Sequence, residues 1–262
     1  MKEAESTAKK RESRIAPFSR EKGLARGIFL LPNLITTGAL FSSFYAVIAA
    51  MQGAFEIAAI AVVIAGFLDA LDGRIARLTN TQSPFGEQYD SLSDLVAFGV
   101  APAVLMYSWV LSGLGKIGWM IAFLYLACVA LRLARFNSTP ENKAFVGLAS
   151  PAAAGTVSTL VWTWVDNLNP VVDLPLTIFL AAFVVVVALL MVSNIQYYSP
   201  KYINLKGRVP FIYIVGGVLL FVVVAIYPPG ILLSIGLVYC ASGPLWLLYR
   251  RVQKSGESQE SG

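Results

Sequence analysis

The chain has 262 residues, of which 57% are hydrophobic and 13% are charged, with a net charge of +5 and a mean hydropathy of +0.69. Soluble domains carry about 25% charged residues, so this composition excludes an ordinary soluble domain and indicates a polytopic membrane protein. The absence of histidine excludes Ser-His-Asp catalysis, two cysteines cannot form a Cys-rich zinc site, and the small positive charge favours anionic lipid over nucleic acid as a partner.

Apolar runs close to the length of a membrane-spanning helix recur along the chain, so we predict an all-α helical bundle. A basic cytoplasmic segment at 1–26 precedes a membrane domain at 27–249, and a polar cytoplasmic tail follows at 250–262. Pro84 lies in a predicted loop that runs through Phe85, and Pro228-Pro229-Gly230 predicts a tight turn. We predict eight spans, at 27–50, 54–78, 86–112, 117–136, 149–166, 175–195, 209–226 and 230–249.

The distribution of lysine and arginine over the predicted loops indicates the orientation. With eight spans, 19 of the 20 cations fall on the side that holds both termini, and only Lys116 falls on the other. The longest loop on that other side contains Asp166 and Asp173 and no cation. The positive-inside rule therefore predicts an integral protein of the cytoplasmic (inner) membrane with both termini in the cytoplasm.

Four aspartates lie within one stretch of 26 residues beside apolar sequence. Asp69 and Asp72 are three residues apart and Asp90 and Asp94 are four apart, so each pair shares a helix face. The short loop between the two helices makes them antiparallel neighbours, and the four carboxylates should meet. Because like charges at close range repel strongly, protons or cations must neutralise them. Oxygen ligands alone favour hard divalent ions (Mg²⁺, Mn²⁺ or Ca²⁺), and the charge favours two ions over one.

The neighbours of the aspartates indicate a pyrophosphate site. Gly73 lets a ligand approach the backbone, and Arg77, one turn later, can offer a bidentate fork to phosphate. Two other interpretations are open: pairing of the aspartates with Arg74 and Arg77, and a proton relay in a transporter. A transporter commonly has repeated halves, whereas the aspartate pattern occurs once.

The spacing D-x2-D-G-x2-A-R-x8-G-x3-D-x3-D runs from Asp69 to Asp94. Each fixed position matches the signature of the CDP-alcohol phosphatidyltransferase family, which the chain therefore resembles. A polyprenyl transferase also uses aspartate-bound metals but lacks this spacing. The resemblance implies a six-helix core, here with two additional C-terminal spans, and a homodimer. It also implies a reaction in which an alcohol attacks the lipid-bearing phosphate of a CDP-linked lipid and CMP leaves.

The resemblance further implies roles for individual residues. Asp69, Asp72 and Asp90 are chiefly metal ligands, while Asp94 shares the metal and is the general base. The expected contacts to nucleotide or pyrophosphate are Asn33, Gly73, Arg77, Thr81 and Gly86. As alternatives, Asn33 caps a helix turn and Thr81 belongs to a solvated loop.

The segments 133–137 (LARFN) and 145–155 (FVGLASPAAAG) are similar to those of family members that use serine as the acceptor. Those members usually read G-L-P-x-P-A-A-A, and this chain has Ala149 in place of the first proline. The resemblance implies CDP-diacylglycerol and L-serine as substrates. Serine needs a cation for its carboxylate, and Arg132, Arg135 and Lys143 lie at or after this cytoplasmic helix end. Arg135 and Asn137, which belong to the similar segment, and Lys143 are the predicted acceptor contacts, with membrane anchoring as the alternative for the cations. Glycerol 3-phosphate and inositol phosphate would also need cations, so both remain alternative acceptors.

Overall fold

A computed structural model of the chain describes residues 20–79, 81–138, 146–167, 173–195, 197 and 211–260. Within these ranges the chain forms helices and no β-strand, which confirms the all-α prediction. The long helices are α1 (Arg20–Met51), α2 (Phe55–Leu78), α3 (Pro84–Trp109), α4 (Lys116–Ser138), α5 (Ser150–Asn167), α6 (Leu174–Val192), α7 (Phe211–Ile226) and α8 (Pro228–Glu260).

Five of the helices in the described ranges are long and apolar enough to cross a membrane. They are the Leu30–Met51 part of α1, all of α3, α4 and α6, and the Pro228–Leu247 part of α8. These helices identify an integral membrane protein. The number of crossings, predicted as eight, stays a prediction.

Two predicted loop boundaries are wrong because proline occupies the first turn of a helix. Helix α3 begins at Pro84 rather than Gly86, and the Ser83 Oγ accepts a hydrogen bond from the Gly86 N–H at 3.0 Å. Helix α8 begins at Pro228, where a tight turn is predicted. The missing N–H of proline costs little in a first turn, since that group has no partner within the helix. Helix α8 also continues to Glu260, beyond the predicted end of the membrane domain at 249.

Helices α1 and α2 form a closely packed antiparallel pair. The turn between them uses Gly53, whose φ of 78° is readily adopted by glycine. Small buried side chains pack together between them, including Ala46 of α1 and Ala61 and Ala65 of α2. Small residues let helix backbones approach closely in a membrane. The packing places the polar residues of α1 beside the aspartates near the end of α2.

Helix α8 rests on α5 and on the segment that follows α6. A Cβ at Gly236 would lie 2.3 Å from the Thr156 Oγ1, and one at Gly243 would lie 2.4 Å from the Tyr197 ring. The Tyr197 hydroxyl donates a hydrogen bond to the Cys240 carbonyl at 3.1 Å. These two close approaches fix α8 against the bundle.

Helix α3 contains a π-helical segment, Leu95–Val100, directly after Asp94. The fully buried Tyr125 of α4 donates a hydrogen bond from its hydroxyl to the Phe98 carbonyl at 3.1 Å. At Gly99, an added Cβ would lie 2.9 Å from the Leu126 Cδ1. The wide turn is thus held by α4.

Candidate active site

The four aspartates meet where the end of α2 faces the start of α3. One carboxylate oxygen from each of Asp69, Asp72 and Asp90 lies within 4.8 Å of the others. The carboxyl groups of Asp69 and Asp94 lie within hydrogen-bonding reach of each other. The structure therefore brings together all four side chains that the spacing places on facing helices.

Some carboxylate oxygens of the cluster are buried but receive no hydrogen bond from the described residues. Asp72 is 3% exposed. The Oδ1 atoms of Asp90 and Asp94 are buried and have no hydrogen-bond partner among the described residues. In that part of the chain, no ion pair joins the cluster to Arg74 or Arg77, so pairing with arginine does not neutralise it. Unsatisfied buried oxygens in a set that offers only oxygen ligands fit hard divalent cations.

Thr36 of α1 orients one aspartate of the cluster. Its Oγ1 lies 2.6 Å from the Asp72 Oδ2 and 3.0 Å from the Pro32 carbonyl, and its single proton can serve one of them at a time. Its own carbonyl accepts a hydrogen bond from the Ser93 Oγ at 3.4 Å, which ties α1 to α3. Thr36 is not among the site residues predicted from the sequence. The available signal was a threonine one turn after Asn33 in the apolar, membrane-spanning part of α1.

We expect the Thr36→Val variant to need a higher divalent-metal concentration for activity. Losing a hydrogen bond to a metal-ligating carboxylate typically costs about 10–100-fold in metal affinity or activity. The measurement is CMP release as a function of Mn²⁺ or Mg²⁺ concentration. The matched control is Thr37→Val, since the exposed Thr37 hydroxyl contacts Asn33 and Tyr89 instead of an aspartate. An unchanged metal requirement in Thr36→Val would show that Thr36 does not support the site.

The residues predicted to contact the nucleotide lie around the same helix ends. A Cβ at Gly73 would meet no heavy atom within 4 Å, so the backbone there faces open space, and Arg77 is exposed one turn later. A Cβ at Gly86 would lie 3.3 Å from the Asn33 Oδ1, which places this amide beside the start of α3. Thr81 is 6% exposed and its hydroxyl lies 2.7 Å from that of Thr79. The solvated-loop alternative for Thr81 is therefore wrong.

Among the described residues, one of the three predicted acceptor contacts, Asn137, bonds to a residue next to the aspartate cluster. The Asn137 Nδ2 donates a hydrogen bond to the Ser91 Oγ at 3.0 Å, next to Asp90 in sequence. The Arg135 Nη2 donates to the Asn194 Oδ1 at 2.9 Å, on the segment after α6. Lys143 lies outside the described residues.

Arg132, three residues before Arg135, is buried near Asp94 and is not among the predicted acceptor contacts. It is 9% exposed, and its Nη1 donates a hydrogen bond to the Ser150 Oγ of α5 at 2.8 Å. Asp94 and the Tyr239 hydroxyl are near enough to interact electrostatically with its guanidinium. The sequence signal was its place between leucines within an apolar run, where a mere anchor is less expected.

A family model described as CDP-alcohol phosphatidyltransferase matches residues 29–238. The chain belongs to the CDP-alcohol phosphatidyltransferase family. It is therefore a phosphotransferase enzyme, and the family resemblance inferred from the aspartate signature is confirmed.

Individual relatives cover most of the chain. Over 184 residues it is 39% identical to a CDP-diacylglycerol–serine O-phosphatidyltransferase of Helicobacter pylori. That alignment covers 68% of this chain and 77% of the relative. Over 172 residues it is 36% identical to an archaetidylserine synthase of Methanothermobacter thermautotrophicus, and the alignment covers 64% of this chain and 69% of the relative. A CDP-diacylglycerol–serine O-phosphatidyltransferase of Methanocaldococcus jannaschii is 38% identical over 178 residues, and the alignment covers 67% of this chain and 76% of the relative.

Proposed function

We propose that this family member is a CDP-diacylglycerol–serine O-phosphatidyltransferase. It would transfer the phosphatidyl group of CDP-diacylglycerol to the hydroxyl of L-serine, giving phosphatidylserine and CMP. The observation that carries the proposal is 39% identity over 184 residues to a relative named for this reaction. The family match at residues 29–238 includes all four clustered aspartates. The relative from Methanothermobacter thermautotrophicus is named for a different lipid, archaetidylserine, but that name also contains serine.

The aspartates would hold the divalent ions that the family implies. Asp69, Asp72 and Asp90 supply ligand oxygens, Asp94 shares in binding, and Thr36 keeps Asp72 oriented. Four carboxylates are balanced better by two ions than by one, and oxygen ligands suit Mg²⁺ or Mn²⁺, with Ca²⁺ as a further candidate. When bound, such ions neutralise charge on the diphosphate and polarise its phosphorus–oxygen bonds.

The residues of the chain position the donor and move one proton. Open space at Gly73 accommodates the diphosphate, and the exposed Arg77 can bind a phosphate oxygen pair. Asn33 and Thr81 lie at the adjoining helix ends and are the candidate nucleotide contacts. The buried Oδ1 of Asp94 has no described partner, so it can accept the serine hydroxyl proton. The serine oxygen then forms a bond to the lipid-bearing phosphorus, the bond to the CMP oxygen breaks, and CMP departs.

We propose that the reaction takes place at a boundary between lipid and water. We propose eight spans with both termini in the cytoplasm, because 19 of the 20 lysines and arginines then lie on that side. The helix ends that hold the aspartates lie on the same side. Serine can therefore arrive from the cytoplasm while the acyl chains of the donor stay in the bilayer. A homodimer is a further proposal, supported by the family resemblance.

An acceptor screen tests the function. Purified protein is given CDP-diacylglycerol in mixed micelles with Mn²⁺ or Mg²⁺, and L-serine, glycerol 3-phosphate and inositol phosphate are added separately. We expect CMP release and a new phospholipid with serine, and loss of both when the divalent ion is chelated. CMP release with glycerol 3-phosphate or inositol phosphate, but none with serine, would show that the assigned acceptor is wrong.

A further inference from the structure

The π-helical segment Leu95–Val100 of α3 begins directly after Asp94, at the edge of the aspartate cluster. Such segments are rare, and single wide turns inside α-helices occur frequently at functional sites. Here the Ala101 N–H bonds to the Val96 carbonyl, five residues before it rather than four. Because Asp94 and the wide turn are consecutive in one helix, a shift of the turn moves the carboxylate. The contacts that hold the turn therefore also hold Asp94.

One carbonyl of this turn cannot obtain its usual helical partner. In an α-helix the Phe98 carbonyl would accept a hydrogen bond from residue 102, which is Pro102 and has no N–H. The Tyr125 hydroxyl of α4 donates to this carbonyl at 3.1 Å, and both Phe98 and Tyr125 are 1% exposed. A buried carbonyl without a donor is costly, so the bond from Tyr125 stabilises the wide turn.

Phe98 also connects α3 to the helix that carries the other two aspartates. An added Cβ at Gly66 of α2 would lie 3.4 Å from the Phe98 Cε1, so the ring packs directly on Gly66. Gly66 lies three residues before Asp69, and Phe98 lies four residues after Asp94. This ring contact is therefore about one helical turn from the point where the Asp69 and Asp94 carboxyl groups meet. The backbone that Tyr125 holds sets the spacing of α2 and α3 at the cluster.

We propose that Tyr125 is a positioning residue of the reaction: its hydroxyl anchors the wide turn of α3 at Phe98 and so holds the Asp94 carboxylate in place against α2. In this role Tyr125 touches no substrate and acts through α3. The inference rests on the proposed function, because it takes Asp94 as the base that receives the serine proton. It adds a residue of α4 to a site that the aspartate spacing confines to α2 and α3.

The test compares Tyr125→Phe with the wild type, a change that removes one oxygen atom and leaves the ring. We expect kcat at saturating serine, CDP-diacylglycerol and Mn²⁺ to fall roughly 10-fold, since a misplacement of about 1 Å at a reacting centre can cost about 10²-fold. The KM for CDP-diacylglycerol should stay within about twofold, because Gly73 and Arg77, which are assigned to the donor, lie on α2. The measurement is steady-state CMP release.

Tyr197→Phe is the matched control. The Tyr197 hydroxyl also donates to a carbonyl in a buried contact at 3.1 Å, but that carbonyl belongs to Cys240 of α8 and lies outside the wide turn. Both variants lose the same type of bond, so their thermal unfolding midpoints should fall by similar amounts. Only Tyr125→Phe should lose kcat, whereas a merely structural role would make the two variants alike.

A double variant tests whether Tyr125 acts through Asp94. Residues that act as a unit have non-additive effects on the rate. In the Asp94→Asn background, Tyr125→Phe should therefore lower CMP release by less than about twofold further. Thermal stabilisation of each variant by CDP-diacylglycerol verifies the fold and the donor site.

Three outcomes would overturn the inference. One is an unchanged kcat in Tyr125→Phe, another is an equal loss of kcat in Tyr197→Phe, and the third is a full additional loss in the double variant. Failure of the proposed function is distinguishable, because the wild type would then release no CMP with serine before any variant is compared.

Discussion

The Asp94→Asn variant is expected to release CMP in the presence of serine about 10²–10⁴-fold more slowly than the wild type, the usual contribution of a general base. An amide has nearly the shape of the carboxylate but cannot accept the hydroxyl proton during attack. The measurement is steady-state CMP release at saturating serine and divalent metal. Binding of CDP-diacylglycerol, followed by thermal stabilisation, should be largely retained, because the other three aspartates are unchanged.

Asp173→Asn is the matched control for this variant. The Asp173 Oδ1 caps α6 by accepting a hydrogen bond from the Leu176 N–H at 3.3 Å. Asparagine caps a helix about as well as aspartate, so this variant should turn over normally. Near-full turnover in Asp94→Asn would contradict the general-base role and leave Asp94 as a metal ligand at most.

The second large effect is expected from Gly73→Leu, which should lower kcat/KM for CDP-diacylglycerol about 100-fold or more. A misplacement of about 1 Å at a reacting centre can already cost 10²-fold. An added Cβ at Gly73 meets no heavy atom within 4 Å, so the side chain can be accommodated without disturbing the helices. It would instead fill the space assigned to the diphosphate. The measurements are kcat/KM for the donor and the thermal unfolding midpoint, which should stay near that of the wild type.

Gly217→Leu on α7 provides the control, since it is also helical, exposed and without a heavy atom within 4 Å of an added Cβ. It should keep both activity and the unfolding midpoint. Normal donor kinetics in Gly73→Leu would mean that the open space beside the aspartates is not where the diphosphate binds.

The aspartate cluster was predictable because its geometry is local. Helical periodicity places Asp69 with Asp72 and Asp90 with Asp94, and a short connection forces the two helices together. Neither step depends on the rest of the fold. The start of α3 was missed by two residues because Ser83-Pro84 was interpreted as loop, although serine at an N-cap before proline is a helix-start signal.

The contacts of the supporting residues were not predictable, because their partners are distant in sequence. Thr36 reaches Asp72 across the α1–α2 contact, and periodicity within α1 does not show which neighbour it meets. The burial of Arg132 and the exposure of Arg135 depend on the rotation of α4 against α5, which the contact of Arg132 with Ser150 shows. Composition likewise gives no signal for the π-helical turn, which depends on packing against α4.

That π-helical turn divides α3 into two halves, and the side chains of each half face a different direction around the helix axis. Successive residues of an α-helix are rotated by about 100°, so the extra residue of a wider turn offsets everything beyond it by about that angle. The half before Leu95 can direct Asp90 and Asp94 towards α2, while the half from Ala101 turns Leu105 and Met106 into the core. A single-residue deletion between 95 and 100 would therefore act as a rotation. It would misalign the carboxylates with α2 while leaving every side chain of the cluster chemically intact.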